Sequence, residues 1–330
     1  MILNQSAKDE KNRIERTNNL IEAVKAGKLL SLVLEPASIC NLTCKFCELH
    51  SGQLGSMPTE KGIMSFDLYR LIIDEINNLD FKFETVFFLG NGEPLLNKNL
   101  VDMISMAVKR RIARRYVMFT NGTLMNPDIF DRLMDSGIDE INVSLDTINP
   151  EVYKEVKGKD LLATVLNNID YAIKRVLHSP IISLVIKCCE GGGIYGLGDE
   201  NIQHIISKYR DVVADSQHIH IKNVPIVKLV DAMIKQTEEF HEPCELAFYM
   251  SYIKYDGRVS ICCVDTIDAL NIGRIGQNQS LKDILKGQKL HNIRKIHLSR
   301  NLDQIPLCKY CGNRTVVDLS DYRDELLDLI

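Results

Sequence analysis

Cys40, Cys44 and Cys47 lie in the run Cys-Asn-Leu-Thr-Cys-Lys-Phe-Cys, directly after the apolar, β-rich segment from Leu29 to Leu34. Three thiolates this close bind a metal centre but leave it one ligand short. A structural zinc is normally closed by four protein ligands, and iron–sulfur clusters are usually held by four thiolates. An open position on such a centre is where a small cofactor can bind and react. Further polar motifs follow later apolar runs: Gly90-Asn91-Gly92-Glu93-Pro94, Thr120-Asn121-Gly122, Ser144-Leu145-Asp146 and Lys187-Cys188-Cys189. A second group of cysteines, at 244, 262, 263, 308 and 311, closes the chain.

The elements that must position these motifs alternate in type. Residues 1–28 read as a helical lead-in, with Ile14, Leu20, Ile21 and Val24 at roughly helical spacing. Strands are predicted at Leu29–Glu35, Glu84–Leu89, Arg115–Thr120, Glu140–Leu145, Ile181–Lys187 and His218–Val224, with amphipathic helical patterns between them. Asn126-Pro127 and Asn149-Pro150 each offer an N-cap and a first-turn proline, and Gly137 is placed to end the first of those helices. Six such alternations imply an α/β fold with a parallel sheet, either open or wound into an incomplete barrel. The motifs then collect at the C-terminal strand ends, where active sites of such folds lie. The expected domains are the lead-in 1–28, a barrel over 29–241 and a cysteine-organised extension over 242–330.

The chain has 330 residues, a net charge of −4 and a 45% apolar fraction, which suits a soluble globular protein with a substantial core. Nothing in it reads as a nucleic-acid-binding surface or a membrane span. The basic run Lys109 to Arg115 precedes strand three and reads as a solvated helix end. The charged N-terminus excludes a secretory signal peptide, so a cytoplasmic location is expected and close cysteines read as metal or redox chemistry rather than disulfides.

The spacing Cys-x3-Cys-x2-Cys, with an aromatic directly before the third cysteine, resembles the radical S-adenosylmethionine (radical SAM) superfamily, whose fold is a partial (β/α)6, TIM-like barrel. The resemblance implies that Cys40, Cys44 and Cys47 hold a [4Fe–4S] cluster whose fourth iron chelates SAM. Reductive cleavage of SAM then yields a 5′-deoxyadenosyl radical that takes hydrogen from the substrate. Phe46 matches the aromatic beside the adenine. Gly90-Asn91-Gly92-Glu93 matches the Gly-Gly-Glu-type motif, with Glu93 accepting from the methionine ammonium, and Ser144 and Asp146 match contacts to the ribose and methionine ends. A zinc site borrowing a distant ligand is the plain alternative; the strand context and Glu93 weigh against it.

The later cysteines resemble the SPASM/twitch extension found behind many radical SAM barrels. A turn at Tyr255-Asp256-Gly257-Arg258 would bring Cys244 and Cys262 together. Cys244, Cys262, Cys308 and Cys311 then ligate one auxiliary [4Fe–4S] cluster, and the cysteines a second auxiliary cluster would need are missing. A zinc ribbon is the alternative for this set. Cys188, Cys189 and Cys263 stay open between buried small hydrophobes and hydrogen-atom donors.

A fully ligated auxiliary cluster suits an electron acceptor, and related enzymes with one such cluster dehydrogenate aminocyclitols. The expected function is a radical SAM oxidoreductase acting on a small polar, sugar-like substrate or a peptide. The short lead-in favours the small molecule. A flavodoxin- or ferredoxin-type one-electron reductant is the expected partner. Lys187, His50 and His220 are candidate bases. The alternatives are a redox-neutral epimerase with Cys263 as hydrogen donor, an enzyme that modifies a ribosomal peptide, and a scaffold without chemistry.

Overall fold

The structure is a computed structural model that describes residues 15–52, 60–190, 197, 199–214, 216–225, 239, 241–263, 265–276, 279–311, 319 and 322–329. Ile14 of the lead-in and the side chain of Cys189 lie outside what is described. Residues 15–25 form helix α1, which turns Leu20, Ile21, Ala23 and Val24 into the core.

Six strands then alternate with helices. They are β1 (Ser31–Leu34), β2 (Phe83–Phe88), β3 (Ala113–Thr120), β4 (Glu140–Ser144), β5 (Ser183–Glu190) and β6 (Ile219–Pro225). Between them run α2 (Phe66–Asn77), α3 (Leu100–Arg110), α4 (Pro127–Asp135), α5 (Pro150–Lys157), α6 (Leu162–His178) and α7 (Asp199–Ala214). The capping signals work as the residue types require. Asn126 and Asn149 accept from the first-turn N–H groups of α4 and α5, and Gly137, after α4, takes φ 84°. All neighbouring pairs from β1 to β6 are parallel and their spatial order follows chain order, the winding of a barrel rather than a doubly wound sheet. The predicted strands match within a few residues. Strand five starts later than expected, because Ile181 is 63% exposed and follows Pro180 at the end of α6.

Side chains on one face of this sheet, among them Leu32, Leu34, Phe88, Met118, Val143 and Ile186, join the main core under the helices. The other face turns Val33, Phe87 and Phe119 into the barrel lumen. Arg110, Arg114 and Arg115 of the basic run each pair with a carboxylate, of Asp74, Glu84 and Glu140 respectively.

The extension does not form a sheet of its own. A short helix, α8 (Leu246–Tyr249), leads into β7 (Met250–Ile253), which pairs in parallel with β1. Then β8 (Arg258–Ser260) and β9 (Asn271–Arg274) add antiparallel, so one nine-stranded sheet runs β6-β5-β4-β3-β2-β1-β7-β8-β9 and is not closed. Gly257, at φ 87°, makes the turn between β7 and β8. Four helices follow among the described residues: α9 (Leu281–Leu285), α10 (Gln288–Leu298), α11 (Pro306–Lys309) and α12 (Arg323–Leu329). Among the described residues, no helix is long and apolar enough to cross a membrane.

Candidate functional site

One cavity of about 440 Å³ opens at the C-terminal strand ends. Cys40, Cys44, Phe46, Cys47, Gly90, Asn91, Gly92, Glu93, Ser144, Asp146 and Lys187 all line it, so residues spread over some 150 positions of sequence meet there. Cys263 and the other late cysteines lie elsewhere. Among the described residues, no three His, Cys, Asp or Glu side chains converge on a single point, as one bare ion would need.

The cysteine loop is pinned to α5 on either side of Cys44. Thr43 and Lys45 donate their N–H groups to the carbonyls of Lys157 and Val156 on α5. Cys40 Sγ accepts from Leu42 N–H at 3.5 Å and from Asn121 Nδ2 at 4.0 Å. Burial pushes all three thiols up, Cys44 to about 11 against the opposing pull of Lys157. Iron binding therefore has to release their protons.

The Gly-Asn-Gly-Glu turn is built on close backbone approach. A Cβ on Gly90 would stand 2.4 Å from Cγ of Glu35, and one on Gly92 would stand 2.1 Å from the carbonyl oxygen of Ile39. The glycines thus serve the contact between this turn and the exit of β1. Glu93 N–H donates to Ile39 O at 2.8 Å, closing that contact. Gly92→Ala should therefore displace Glu93 and weaken SAM binding at least tenfold while leaving the iron content unchanged. Equilibrium dialysis with labelled SAM checks this, and unchanged affinity would show that the turn tolerates the shift.

Glu93 is 2% exposed, and burial raises its pKa against the hydrogen bonds it accepts. Its Oε1 accepts from Thr120 Oγ1 at 2.7 Å and Leu95 N–H at 3.1 Å, and its Oε2 accepts from Asn121 N–H at 2.7 Å. A carboxylate oxygen has two lone-pair positions, so Oε2 keeps one for a cofactor ammonium. His50 Nε2–H donates to the carbonyl of Asn91 at 2.8 Å, and burial lowers its pKa. That bond gives His50 the task of tying the turn to the cysteine loop.

Two functional residues were not found from sequence. The first is Lys157, the last residue of α5. It is buried, its ammonium pairs with Asp146, and it lies 5.3 Å from the centre of the Phe46 ring. Asp146 itself holds φ 66°, in the left-handed region. Nearby, the buried Tyr153 hydroxyl has no hydrogen-bond partner among the described residues, and it is close enough to feel the charges of Cys44, Asp146 and Lys157. Three thiols and a spare carboxylate lone pair around one cavity fit an iron–sulfur cluster carrying a zwitterionic cofactor.

The second is Glu35, 1% exposed. Its Oε1 accepts from Asn91 N–H at 2.8 Å and Tyr252 O–H at 2.6 Å, and its Oε2 accepts from Tyr255 N–H at 3.2 Å. One carboxylate thereby joins the glycine turn of the barrel to β7 of the extension. A helix-end lysine and a strand-end glutamate carry no local signal.

Of the late cysteines, three reach the lumen side, whereas Cys308 lies in the main core and Cys311 packs against it. Cys244, Cys262 and Cys263 pack on a cluster of Val33, Leu246, Met250 and Tyr252, together with Phe87 and Leu89. Phe87 meets Phe119 at 6.4 Å between ring centres, and Leu89 and Phe119 line the cysteine cavity. Cys311 N–H donates to Cys308 O in a tight turn, and buried His297 accepts from Cys244 N–H at 3.2 Å. Burial raises the Cys263 thiol, with the charge of Cys311 adding to the effect, so Cys263 adjoins this set. Cys188 points the opposite way, into the main core, as a small hydrophobe does.

Comparison with known proteins adds three findings. The family described as the radical SAM superfamily matches residues 34–208, more than half of the chain, and the iron-sulfur cluster-binding SPASM domain matches residues 244–312. The chain is 35% identical over 151 residues to GTP 3',8-cyclase of Corynebacterium glutamicum, covering 44% of this chain and 39% of that protein. It is 31% identical over 156 residues to a probable GTP 3',8-cyclase of Sulfolobus acidocaldarius, covering 47% of each. The matches thus span less than half the length of these relatives. Among solved structures, BtrN in complex with AdoMet and 2-DOIA superposes with a TM-score of 0.59 at 20% identity, over 87% of this chain and 94% of that one. Native anSMEcpe with bound AdoMet gives 0.58 at 16% identity, over 91% and 95%. Streptococcus suis SuiB bound to S-adenosylmethionine gives 0.59 at 16%, over 91% and 75%. At these identities the likeness is one of fold.

Proposed function

The chain belongs to the radical SAM superfamily, with a SPASM domain after its barrel and SAM and two [4Fe–4S] clusters as cofactors, and from that membership we propose that it oxidises a C–H bond of a small polar substrate by two electrons. Cys40, Cys44 and Cys47 hold the SAM-binding cluster, and Cys244, Cys262, Cys308 and Cys311 hold the auxiliary one. When bound, these groups supply a hydrogen-abstracting 5′-deoxyadenosyl radical and a one-electron acceptor. Glu93 would accept from the cofactor ammonium, Lys157 would offer a cation to its carboxylate, and Phe46 would offer an aromatic face to its adenine. A carbinol oxidised there would lose a hydrogen atom and an electron to the bound cofactors, and its hydroxyl proton would have to pass to a base of this chain. Lys187 and His220, on the lumen side of β5 and β6, are the groups offered for that proton; His50 is committed to Asn91.

The observation that supports the reading is that Cys244, Cys262 and Cys263 pack on the same small apolar cluster as Phe87, which in turn meets Phe119 of the first cavity. Cysteine sets linked through one shared apolar cluster suit electron transfer out of a substrate radical. The solved structures of similar fold hold 2-DOIA in one case and precursor peptide in another, so a peptide substrate is the second form of this reading.

A redox-neutral epimerase is the other reading, favoured by the position of Cys263 beside Tyr252 and Val33 on the lumen side. Anaerobic reconstitution should yield about eight irons per chain and, with reductant and SAM, 5′-deoxyadenosine. Four irons would remove the auxiliary acceptor and sink the proposal. With a substrate found by screening for 5′-deoxyadenosine, turnover in deuterated water separates the reactions. An oxidised product without solvent deuterium supports the dehydrogenase, and a deuterium-labelled epimer supports Cys263 as donor.

A further inference from the structure

Tyr153 stands on α5 one turn before Lys157, so the two residues share a face of the helix. That helix is locked to the cysteine loop. The N–H groups of Thr43 and Lys45, which flank Cys44, donate to Lys157 O at 3.2 Å and Val156 O at 2.8 Å. Gly158 ends the helix at φ 74° against Thr43 and leaves no room there for a Cβ. Tyr153 is 0% exposed, and its hydroxyl has no hydrogen-bond partner among the described residues. A buried phenol normally finds a partner, and one without costs the fold. Phenylalanine would fill the same space without that cost. The hydroxyl lies within electrostatic range of Lys157, Cys44 and Asp146, and Lys157 and Asp146 are bound to each other. Cys44 lines the cysteine cavity and Tyr153 does not, so the hydroxyl stands on the protein side of Cys44, away from the cofactor seat.

We infer that Tyr153 is a positioning residue for the first cluster: its hydroxyl donates to Cys44 once that cysteine is bound to iron, and this bond sets how readily the cluster is reduced. The inference rests on the assignment of Cys40, Cys44 and Cys47 to the SAM-binding cluster, and not on which substrate is oxidised. A thiol sulfur is a weak acceptor, whereas an iron-bound cysteine is a thiolate, and a hydrogen bond to a charged acceptor is stronger. The hydroxyl that lacks a partner beside a thiol therefore gains one beside the ligand. Hydrogen bonds to cluster sulfurs, and the groups that orient ligands from behind, tune the reduction potential. A donor favours the reduced form, because that form carries the extra negative charge. Tyr153 thus acts on the reduction of the cluster while leaving the SAM seat, served by Glu93 and Lys157, untouched.

The test compares the anaerobically reconstituted holoenzyme with Tyr153→Phe and with Val156→Ala, a packing control. Val156 is 0% exposed on the same helix, and its truncation loosens α5 without removing a hydroxyl. Reductive titration followed by electron paramagnetic resonance reads the midpoint of the first cluster, identified as the one whose signal changes when SAM is added. Tyr153→Phe should keep about eight irons and the parental SAM affinity. Its reduction equilibrium should fall roughly three- to tenfold, tenfold being about 59 mV for one electron. Its urea midpoint should not fall, because the hydroxyl removed has no protein partner. Val156→Ala should keep the parental potential. An unchanged potential in Tyr153→Phe overturns the role. So does an equal shift in Val156→Ala, which would make the effect one of packing, or a loss of SAM affinity larger than the shift in reduction, which would put the hydroxyl on the cofactor. Iron content and the SAM response of the unsubstituted protein are measured first. Their failure removes the cluster assignment, whereas a SAM-responsive cluster with no shift removes only the role of Tyr153.

Discussion

Lys157→Ala should cost the protein about 3–5 kcal/mol of stability and abolish measurable SAM binding, the largest loss expected outside the cysteines. The Lys157 and Asp146 side chains are 3% and 1% exposed, so removing the amine strands a carboxylate away from water. An unpaired buried charge costs far more than the pair contributes. The same substitution takes the cation from Phe46 and from the neighbourhood of Cys44, where the cofactor carboxylate is proposed to lie. The double substitution Lys157→Met with Asp146→Leu separates the two roles. Apolar replacement of a whole buried pair is often neutral, so it should restore the urea midpoint without restoring SAM affinity. A Lys157→Ala protein that unfolds at the parental midpoint would remove the pair from the account.

Glu35→Ala should lower stability by about 2–4 kcal/mol, because it orphans three donors at once. The heaviest loss is the hydroxyl of Tyr252, which is wholly buried; the N–H groups of Asn91 and Tyr255 are better placed to find water. Glu35→Gln keeps a carbonyl for some of them but turns an NH₂ toward another donor, and should lose less. The functional consequence is more specific. With its anchor gone, the Asn91 turn shifts against β7, and Glu93 shifts with it. The variant should keep about eight irons yet waste SAM, with the ratio of oxidised product to 5′-deoxyadenosine falling severalfold. Iron analysis and paired product assays on one sample measure this. An unchanged ratio would reduce Glu35 to a packing residue.

Much of this molecule is legible in short stretches of chain. The cysteine triplet declares an under-ligated cluster because its three ligands fall within one loop. The strands after Leu29, Phe83 and Arg115 are legible because a buried strand needs only a local run of apolar and β-branched residues. Asn126-Pro127 and Asn149-Pro150 start helices because a side-chain oxygen and a missing N–H act within one turn. The glycines of the Gly-Asn-Gly-Glu turn are visible too, although their reason is contact with Glu35 and Ile39, which lie some fifty residues earlier.

The residues that had to wait for the tertiary structure are those whose partners are distant. Lys157 ends an ordinary amphipathic helix, and only the packing of α5 against the cysteine loop brings it to Asp146 and Phe46. Glu35 bonds Tyr252 across 217 positions. The pairing of β7 with β1, which merges barrel and extension into one sheet, depends on two open strand edges meeting in register. The sequence by itself thus determined the alternation of strands and helices and, through its cysteine spacing, the resemblance that implies the cluster and the cofactor class, all written in spacings of a few residues. Which charges are neutralised and which carboxylate joins the glycine turn to the extension were decided by tertiary packing, because electrostatic partnership depends on distance in space and not along the chain.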